Sequence, residues 1–135
     1  MKLIIIDDEP IQHFILDRML GRYFSSEKDG TMHSDSGTVI LEFLNKHKNN
    51  ADELPDIIFL DLHMPIMNGW DFLERFKKIR KDISKSINIY VISSSIDPVD
   101  ISRSKRYSFV KDYIVKPVTL PMLTKIFGDG LPVKN

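Results

Sequence analysis

Short apolar runs alternate with stretches of helical periodicity five times along this 135-residue chain. Four of the runs are rich in Ile, Val or aromatic residues, the second run is a weaker strand candidate, and helical spacing of apolar residues follows the runs. The five runs predicted as strands are Leu3 to Ile6, Thr31 to His33, Ile57 to Leu60, Ile87 to Ile92 and Tyr113 to Val115. This alternation predicts an α/β fold, a doubly wound five-stranded parallel sheet with five helices on its two faces.

Length and charge exclude several classes of protein. The chain is long enough for one domain with a real core and too short for two ordinary domains. The formal net charge is +0, so we expect no basic surface for nucleic acid. Cysteine is absent, which excludes disulfides and thiolate chemistry. No apolar run is long enough for a signal peptide or a membrane span, so we expect a cytoplasmic protein without a membrane partner.

Polar residues follow four of the five predicted strands, at the point where each strand ends. Parallel strands bring their carboxyl ends to one edge of the sheet, so these residues are expected to meet there. Clustered carboxylates repel one another unless a hard divalent cation lies among them, which predicts a Mg²⁺ site with a reactive aspartate. The residues are Asp7, Asp8 and Glu9 after the first strand, Asp61 after the third, Ser93 and Ser94 after the fourth, and Lys116 after the fifth.

Each of these residues has a simpler explanation when it is taken alone. Asp7, Asp8 or Asp61 could be a helix N-cap, because Asp is favoured at that position. A lysine such as Lys116 is usually a solvated surface residue, and a run of serines is usually a polar loop. Three histidines, His13, His33 and His47, show no spacing typical of metal ligands and are expected at the surface. Only the combination at one sheet edge favours a site.

Four segments in chain order resemble the receiver domains of two-component response regulators. They are Ile-Ile-Asp-Asp-Glu-Pro (5–10), Leu-Asp-Leu-His-Met-Pro-Ile-Met-Asn-Gly (60–69), Ser-Ser (93–94) and Tyr-Ile-Val-Lys-Pro (113–117). The resemblance covers nearly the whole chain and implies a receiver domain over residues 1–128, with 129–135 as a short C-terminal tail. It also implies the flavodoxin-like strand order 2-1-3-4-5.

The resemblance assigns a role to each residue at the sheet edge. Asp61 is the phosphoacceptor, which takes a phosphoryl group from a phosphohistidine. The Mg²⁺ ligands are Asp7, Asp8, the Asp61 side chain and the backbone carbonyl of His63. The phosphoryl oxygens are contacted by Lys116, by the Ser93 hydroxyl and by the Ser94 backbone N–H. The bond between Lys116 and Pro117 is expected to be cis.

The resemblance further implies a conformational switch formed by Ser93 and Tyr113, which controls the binding of a partner. The expected phosphoryl donor is a sensor histidine kinase or a histidine phosphotransfer protein, and the downstream protein target is unknown. We expect a stand-alone receiver, monomeric or forming a phospho-dependent dimer. Such a domain catalyses only its own phosphorylation and dephosphorylation, so it is not an enzyme in the usual sense.

Three alternatives remain at this stage. A phosphohydrolase of the haloacid dehalogenase-like class requires an acid two residues after the nucleophile, where this chain has His63. A flavodoxin-like module for a phosphate-bearing cofactor requires a Gly-rich or Ser/Thr-rich loop after the first strand, where this chain has acids. A degenerate receiver, which binds partners without phosphorylation, would lack some of the site residues, whereas this chain has the complete set. One departure from the family is bulk at Phe109 and Val110, which is expected to alter the surface of the fourth helix and fifth strand.

Overall fold

The predicted alternation of strands and helices is present in the computed structural model, which describes residues 1–21 and 30–128. A short 3₁₀ turn at Arg80–Asp82 follows the third helix. The strands are β1 Lys2–Ile6, β2 Gly30–Ser34, β3 Ile57–Asp61, β4 Asn88–Ser93 and β5 Val110–Val115. The helices are α1 Pro10–Leu20, α2 Gly37–Lys46, α3 Gly69–Ile79, α4 Pro98–Ser104 and α5 Leu120–Phe127.

All five strands are parallel and lie in the order β2-β1-β3-β4-β5, which confirms the flavodoxin-like topology. In the centre of the sheet, Leu3 of β1 pairs with Ile57 of β3, and the register continues along both strands. Every residue of β3 is buried, as expected for a strand that helices cover on both faces. From β1 the chain adds β2 on one side and β3 on the other, so the carboxyl ends of β1 and β3 flank the crevice where ligands bind in such sheets.

Side-chain caps fix where most of the helices begin. The Ser36 hydroxyl accepts a hydrogen bond from the backbone N–H of Val39 at the start of α2. Asn68 caps α3 and Asp97 caps α4 in the same way, as does Thr119 at α5. Each cap satisfies a backbone donor that has no partner inside the helix. The turns that follow β3, β4 and β5 are therefore held in place directly beside the carboxyl edge of the sheet.

Two apolar cores lie on opposite faces of the sheet. The larger core joins β1, β3 and β4 to α2 and α3, with Phe72 and Phe76 fully buried. The smaller core joins the other face to α1 and α5, through Leu16, Leu20 and Leu123. Both faces of the sheet are thus covered, in agreement with the predicted doubly wound architecture.

The structure corrects the expectation for residue 109. Phe109 is only 4% exposed and packs edge-to-face on Phe76, with ring centroids 4.9 Å apart. Tyr107 lies beside it and donates a hydrogen bond to Glu74 on α3. Phe109 therefore fills the core under α3. The expectation from the sequence, that Phe109 alters the outer surface, was wrong. Val110 is partly buried against the same core.

Two further expectations concern the ends of elements. β5 begins at Val110, three residues earlier than predicted, and β4 runs one residue later than predicted, to Ser93. The predicted tail, 129–135, lies outside the described residues. Across residues 1–21 and 30–128, no helix is long and apolar enough to span a membrane.

Candidate functional site

The polar residues predicted to meet at the carboxyl edge of the sheet do so. Asp7 directly follows β1, and its backbone N–H donates to the carbonyl of Ser34 at 3.0 Å. Asp61 and Ser93 are the last residues of β3 and β4. Lys116 directly follows β5, and its backbone N–H donates to the carbonyl of Ser93 at 2.8 Å. Backbone pairing between neighbouring strands therefore positions all four residues.

The three acids form a compact carboxylate cluster. One carboxylate oxygen from each of Asp7, Asp8 and Asp61 lies within 4.8 Å of the other two. No other set of three potential metal ligands comes this close among residues 1–21 and 30–128. Asp7 and Asp61 are 3% and 4% exposed, whereas Asp8 is partly exposed. Two of the three acids are thus largely removed from water, which makes their mutual repulsion strong.

Burial raises the pKa of Asp61 to about 6, and the neighbouring Asp7 carboxylate adds to this effect. The Lys116 ammonium opposes the rise in pKa but does not cancel it. A cation bound beside Asp61 would favour its ionised form and oppose this rise in pKa.

Lys116 brings a positive charge into the cluster. Its Nζ lies 3.0 Å from Asp7 Oδ2 and 3.5 Å from Asp61 Oδ1. Burial lowers the pKa of Lys116, but the hydrogen bond that its ammonium donates to Asp7 and the charges of Asp61, Asp7 and Glu9 outweigh burial, so the pKa is raised. Lys116 stays charged as a result. Glu9, 3.5 Å from Nζ, was expected at this edge from the sequence but was assigned no role there.

The donor atoms of the cluster suit a hard divalent cation. Three carboxylates and one ammonium leave two negative charges uncompensated when all four groups are ionised. Every potential ligand atom in the cluster is a carboxylate oxygen, the type that Mg²⁺, Mn²⁺ and Ca²⁺ prefer. Asp7, Asp8 and Asp61 therefore fit a divalent metal, in agreement with the prediction from the sequence.

The loop between β3 and α3 folds back tightly behind Asp61. The backbone N–H of Gly69 donates to the carbonyl of Leu62 at 2.9 Å. A Cβ at position 69 would lie 2.7 Å from the Asp61 carbonyl oxygen, which leaves room only for glycine. The His63 side chain, inside this loop, is exposed. Its imidazole lies outside the acid cluster, as expected if only the backbone carbonyl takes part.

Ser93 and Tyr113 are connected through Ser95. The buried Ser93 hydroxyl accepts a hydrogen bond from the backbone N–H of Ser95 at 3.1 Å. The Tyr113 hydroxyl donates to the backbone carbonyl of Ser95 at 2.8 Å. The Ser95 hydroxyl in turn donates to Asp100 on α4. Sequence reasoning treated Ser95 only as part of a polar loop, because its contacts depend on how that loop folds. Ser94 is exposed at the same loop.

The predicted cis bond between Lys116 and Pro117 is confirmed. A contact that the sequence did not suggest lies on the other side of the cluster. The Nε2 atom of His13 on α1 is 2.7 Å from the backbone carbonyl oxygen of Asp7. A regularly spaced ligand motif would have been the only signal in the sequence, and the spacing of the histidines shows none.

Comparison with curated proteins identifies signalling proteins. The chain is 29% identical over 120 residues to the two-component response regulator ORR1 of Oryza sativa subsp. japonica, covering 87% of this chain and 49% of that protein. It is 25% identical over 131 residues to the sensory/regulatory protein RpfC of Xanthomonas campestris, covering 96% of this chain and 16% of RpfC. The chain thus spans half or less of these relatives.

Comparison with solved structures also identifies response regulators. A two component response regulator from Cytophaga hutchinsonii superposes with a TM-score of 0.78 and 27% identity, covering 93% of this chain and 92% of the other. The Mn²⁺-bound form of the response regulator Rcp1 shares the fold, with a TM-score of 0.72 at 20% identity and 99% coverage of both chains. The family model for the response regulator receiver domain matches residues 3–127. Because this match spans the whole sheet and every strand end that carries a site residue, the chain belongs to the response regulator receiver domain family.

Proposed function

We propose that Asp61 accepts a phosphoryl group from a phosphohistidine, as one step of a two-component signalling relay. The observation that carries this proposal is the position of the Asp61 carboxylate. It is buried at the sheet edge, 3.5 Å from the Lys116 ammonium and within the cluster formed with Asp7 and Asp8. A sensor histidine kinase or a histidine phosphotransfer protein would supply the phosphohistidine.

In the transfer step, an Asp61 carboxylate oxygen forms a bond to phosphorus while the bond from phosphorus to the donor imidazole nitrogen breaks. The imidazole leaves with the electron pair of that bond, and Asp61 becomes an acyl phosphate. Negative charge on the phosphoryl oxygens must be neutralised as the group moves. Lys116 provides a compact positive charge for one oxygen. The Ser93 hydroxyl and the Ser94 backbone N–H provide hydrogen-bond donors for the others.

Asp7, Asp8, the Asp61 side chain and the backbone carbonyl of His63 would hold the metal ion, which we propose to be Mg²⁺. When bound, the ion would supply positive charge that offsets the negative charge developed during transfer. The all-oxygen ligand set and the excess negative charge support this choice. Mutual repulsion among the carboxylates in the absence of an ion makes binding of the ion favourable.

We further propose that Ser93 and Tyr113 form the switch. The Ser93 hydroxyl now accepts from the Ser95 backbone, and a phosphoryl group on Asp61 would offer this hydroxyl a charged acceptor. Movement of Ser93 toward the phosphoryl group would shift Ser95, whose carbonyl holds the Tyr113 hydroxyl. Phosphorylation would then bias one of two loop arrangements, and a protein partner would read the difference.

Several expectations from the sequence stay predictions. These are the single-domain organisation, the cytoplasmic location, the identity of the downstream protein, and the choice between a monomer and a phospho-dependent dimer. The curated relatives extend well beyond the matched region, so activities of their other parts are not transferred to this chain.

The test is phosphorylation of the purified chain by acetyl phosphate, followed by intact-mass measurement. We expect one phosphoryl adduct in the presence of Mg²⁺ and none in the presence of a chelator. Asp61→Asn is expected to abolish the adduct, because an amide oxygen cannot replace the nucleophile. Asp35→Asn is the matched control, since Asp35 is an exposed acid outside the cluster. An adduct that persists in Asp61→Asn, or that forms without a divalent ion, would contradict the proposal.

A further inference from the structure

Two histidines form a close pair beside the acid cluster. The Nδ1 atoms of His13 on α1 and His33 on β2 are 2.6 Å apart. The second nitrogen of each ring is also engaged. His13 Nε2 lies 2.7 Å from the backbone carbonyl oxygen of Asp7, and His33 Nε2 lies 2.7 Å from Asp17 Oδ1. The two rings meet edge-to-face, with an angle of 74° between their planes.

Hydrogen-bond chemistry determines what lies between the two Nδ1 atoms. The carbonyl of Asp7 and the carboxylate of Asp17 accept hydrogen bonds, so each Nε2 must carry the hydrogen. A neutral imidazole has one N–H, which leaves a lone pair on each Nδ1. Two lone pairs facing each other at 2.6 Å require a positive charge between them. A shared proton satisfies this requirement, and so does a metal ion.

We propose that His13 and His33 bind a transition-metal ion, of which Zn²⁺ is the representative, through their two Nδ1 atoms. In metal sites, a ligating histidine generally donates its other ring N–H to a carbonyl or a carboxylate, which orients the ring. This pair has both arrangements, a carbonyl behind His13 and a carboxylate behind His33. Imidazole nitrogen favours Zn²⁺, Cu²⁺ or Ni²⁺, whereas Mg²⁺ prefers oxygen. The pair is thus chemically distinct from the acid cluster.

The distances require only a small adjustment. Tetrahedral Zn²⁺ with Zn–N bonds of about 2.0–2.1 Å places two ligand nitrogens about 3.3 Å apart. The Nδ1 atoms would therefore separate by about 0.7 Å from their present 2.6 Å. The His33 side chain is 28% exposed on the edge strand β2, so part of its ring faces solvent, where a small shift meets least resistance. A cleft of about 480 Å³ borders both rings and admits water for the remaining coordination positions.

The bound ion would join α1, which packs on one face of the sheet, to β2, which pairs with β1. It would link α1 to the edge strand β2, and His13 would still hold the carbonyl of Asp7 through Nε2. Binding would therefore stabilise the backbone at the start of the acid cluster. This binding does not require a phosphoryl group, so the inference does not depend on the proposed function of Asp61.

The test is calorimetric titration of the full chain with Zn²⁺ in excess Mg²⁺, which occupies the oxygen ligands of the acid cluster. We expect one Zn²⁺ per chain. His33→Gln, and separately His13→Gln, should lower the affinity by at least about tenfold, because each variant removes one of two protein ligands. Asp17→Asn should lower the affinity by a smaller factor than either histidine variant, because the Asp17 carboxylate only orients His33.

His47→Gln is the control, since His47 is a partly exposed imidazole that packs on Phe43, away from the pair. Its affinity for Zn²⁺ is expected to equal that of the parent chain. His33 lies outside the acid cluster, so His33→Gln should still accept a phosphoryl group from acetyl phosphate with Mg²⁺. Unchanged Zn²⁺ affinity in His33→Gln would overturn the proposal. The absence of Zn²⁺ binding in the parent chain would do the same, and would leave a shared proton as the cation between the rings.

Discussion

Gly69 lets the first turn of α3 lie directly against the backbone that carries Asp61. A Cβ at this position would lie 2.7 Å from both the Asp61 carbonyl oxygen and the Leu62 Cα. Backbone atoms cannot move aside as the end of a flexible side chain can. A side chain at residue 69 would therefore displace both the start of α3 and the backbone that positions Asp61 in the acid cluster.

Gly69→Ala should destabilise the protein, although alanine is the better helix former by about 1 kcal/mol. Overpacking against backbone typically costs about 1–3 kcal/mol, so we expect a net loss of up to about 2 kcal/mol in the free energy of unfolding. Phosphoryl acceptance should also slow, because Asp61 is displaced. Urea unfolding and acetyl phosphate kinetics measure the two effects. Gly30→Ala is the control, since no atom lies within 4 Å of the added Cβ. Equal stability of both variants would contradict the steric argument.

Single residues at the site were predictable when they directly followed a strand. Asp61, Ser93 and Lys116 each stand next to a recognisable apolar run, and parallel pairing then brings them together. Neither the contact of Glu9 with Lys116 nor the contact of Ser95 with Tyr113 was predicted, because both arise from loop geometry. Loop geometry depends on tertiary packing, which leaves no periodic signal in the sequence.

At the scale of elements, β5 and α3 are joined by aromatic packing that the sequence did not reveal. Phe109 contacts Phe76 on α3 and lies under the Arg80 guanidinium, 5.0 Å from the ring centroid. The strand itself was predicted too short because Lys111 and Asp112 are exposed near its beginning. An edge strand with polar, solvated residues lacks the continuous apolar pattern of β1 or β3.

Phe109→Ala should therefore cost about 3–5 kcal/mol of unfolding free energy, since it leaves a cavity in the larger core. The matched control is Phe14→Ala on α1, where the ring is 58% exposed. We expect a change within about 0.5 kcal/mol there, apart from the loss of the contact with Arg18. Urea denaturation of the three proteins gives the comparison. A Phe109 variant as stable as the Phe14 variant would show that the ring does not fill the core.

The link between β4, α4 and β5 yields a prediction about switching. Tyr113→Phe removes the hydroxyl that donates to the Ser95 carbonyl and keeps the ring. A single hydrogen bond of this kind contributes about 0.5–1.5 kcal/mol, so a modest loss of stability is expected. Addition of beryllofluoride with Mg²⁺ should shift the amide NMR signals of residues 98–104 less in the variant than in the parent. Identical shifts in both proteins would show that the Tyr113 hydroxyl takes no part in the switch.

For the whole molecule, strand order is the feature that periodicity alone could not predict. All five strands are parallel and are followed by helices, so several orders are compatible with the same alternation. The order 2-1-3-4-5 followed from the resemblance of the four motifs to receiver domains, and the structure has it. Which strand ends become neighbours, and therefore which carboxylates repel, depends on this order.

The repulsion should make the stability of the metal-free protein depend on pH. The pKa of Asp61 is about 6 in the folded protein, above its ordinary value of 3.8, so the folded state binds the proton more tightly. The contribution of Asp61 to the free energy of unfolding is then most favourable below about pH 4. It falls as the pH rises from about 4 to about 6. Above that range, the ionised carboxylate destabilises the fold by up to about 3 kcal/mol.

Asp61→Asn should remove this dependence. In chelator near pH 7, we expect the variant to be about 1–3 kcal/mol more stable than the parent in urea unfolding, with the difference vanishing below about pH 4. Added Mg²⁺ should stabilise the parent by mass action and reduce the difference, since the variant has lost one ligand. Asp35→Asn, an exposed acid outside the cluster, should change stability by less than about 0.5 kcal/mol at either pH. A variant less stable than the parent in chelator at neutral pH would mean that Lys116 and the surrounding hydrogen bonds outweigh the burial of Asp61.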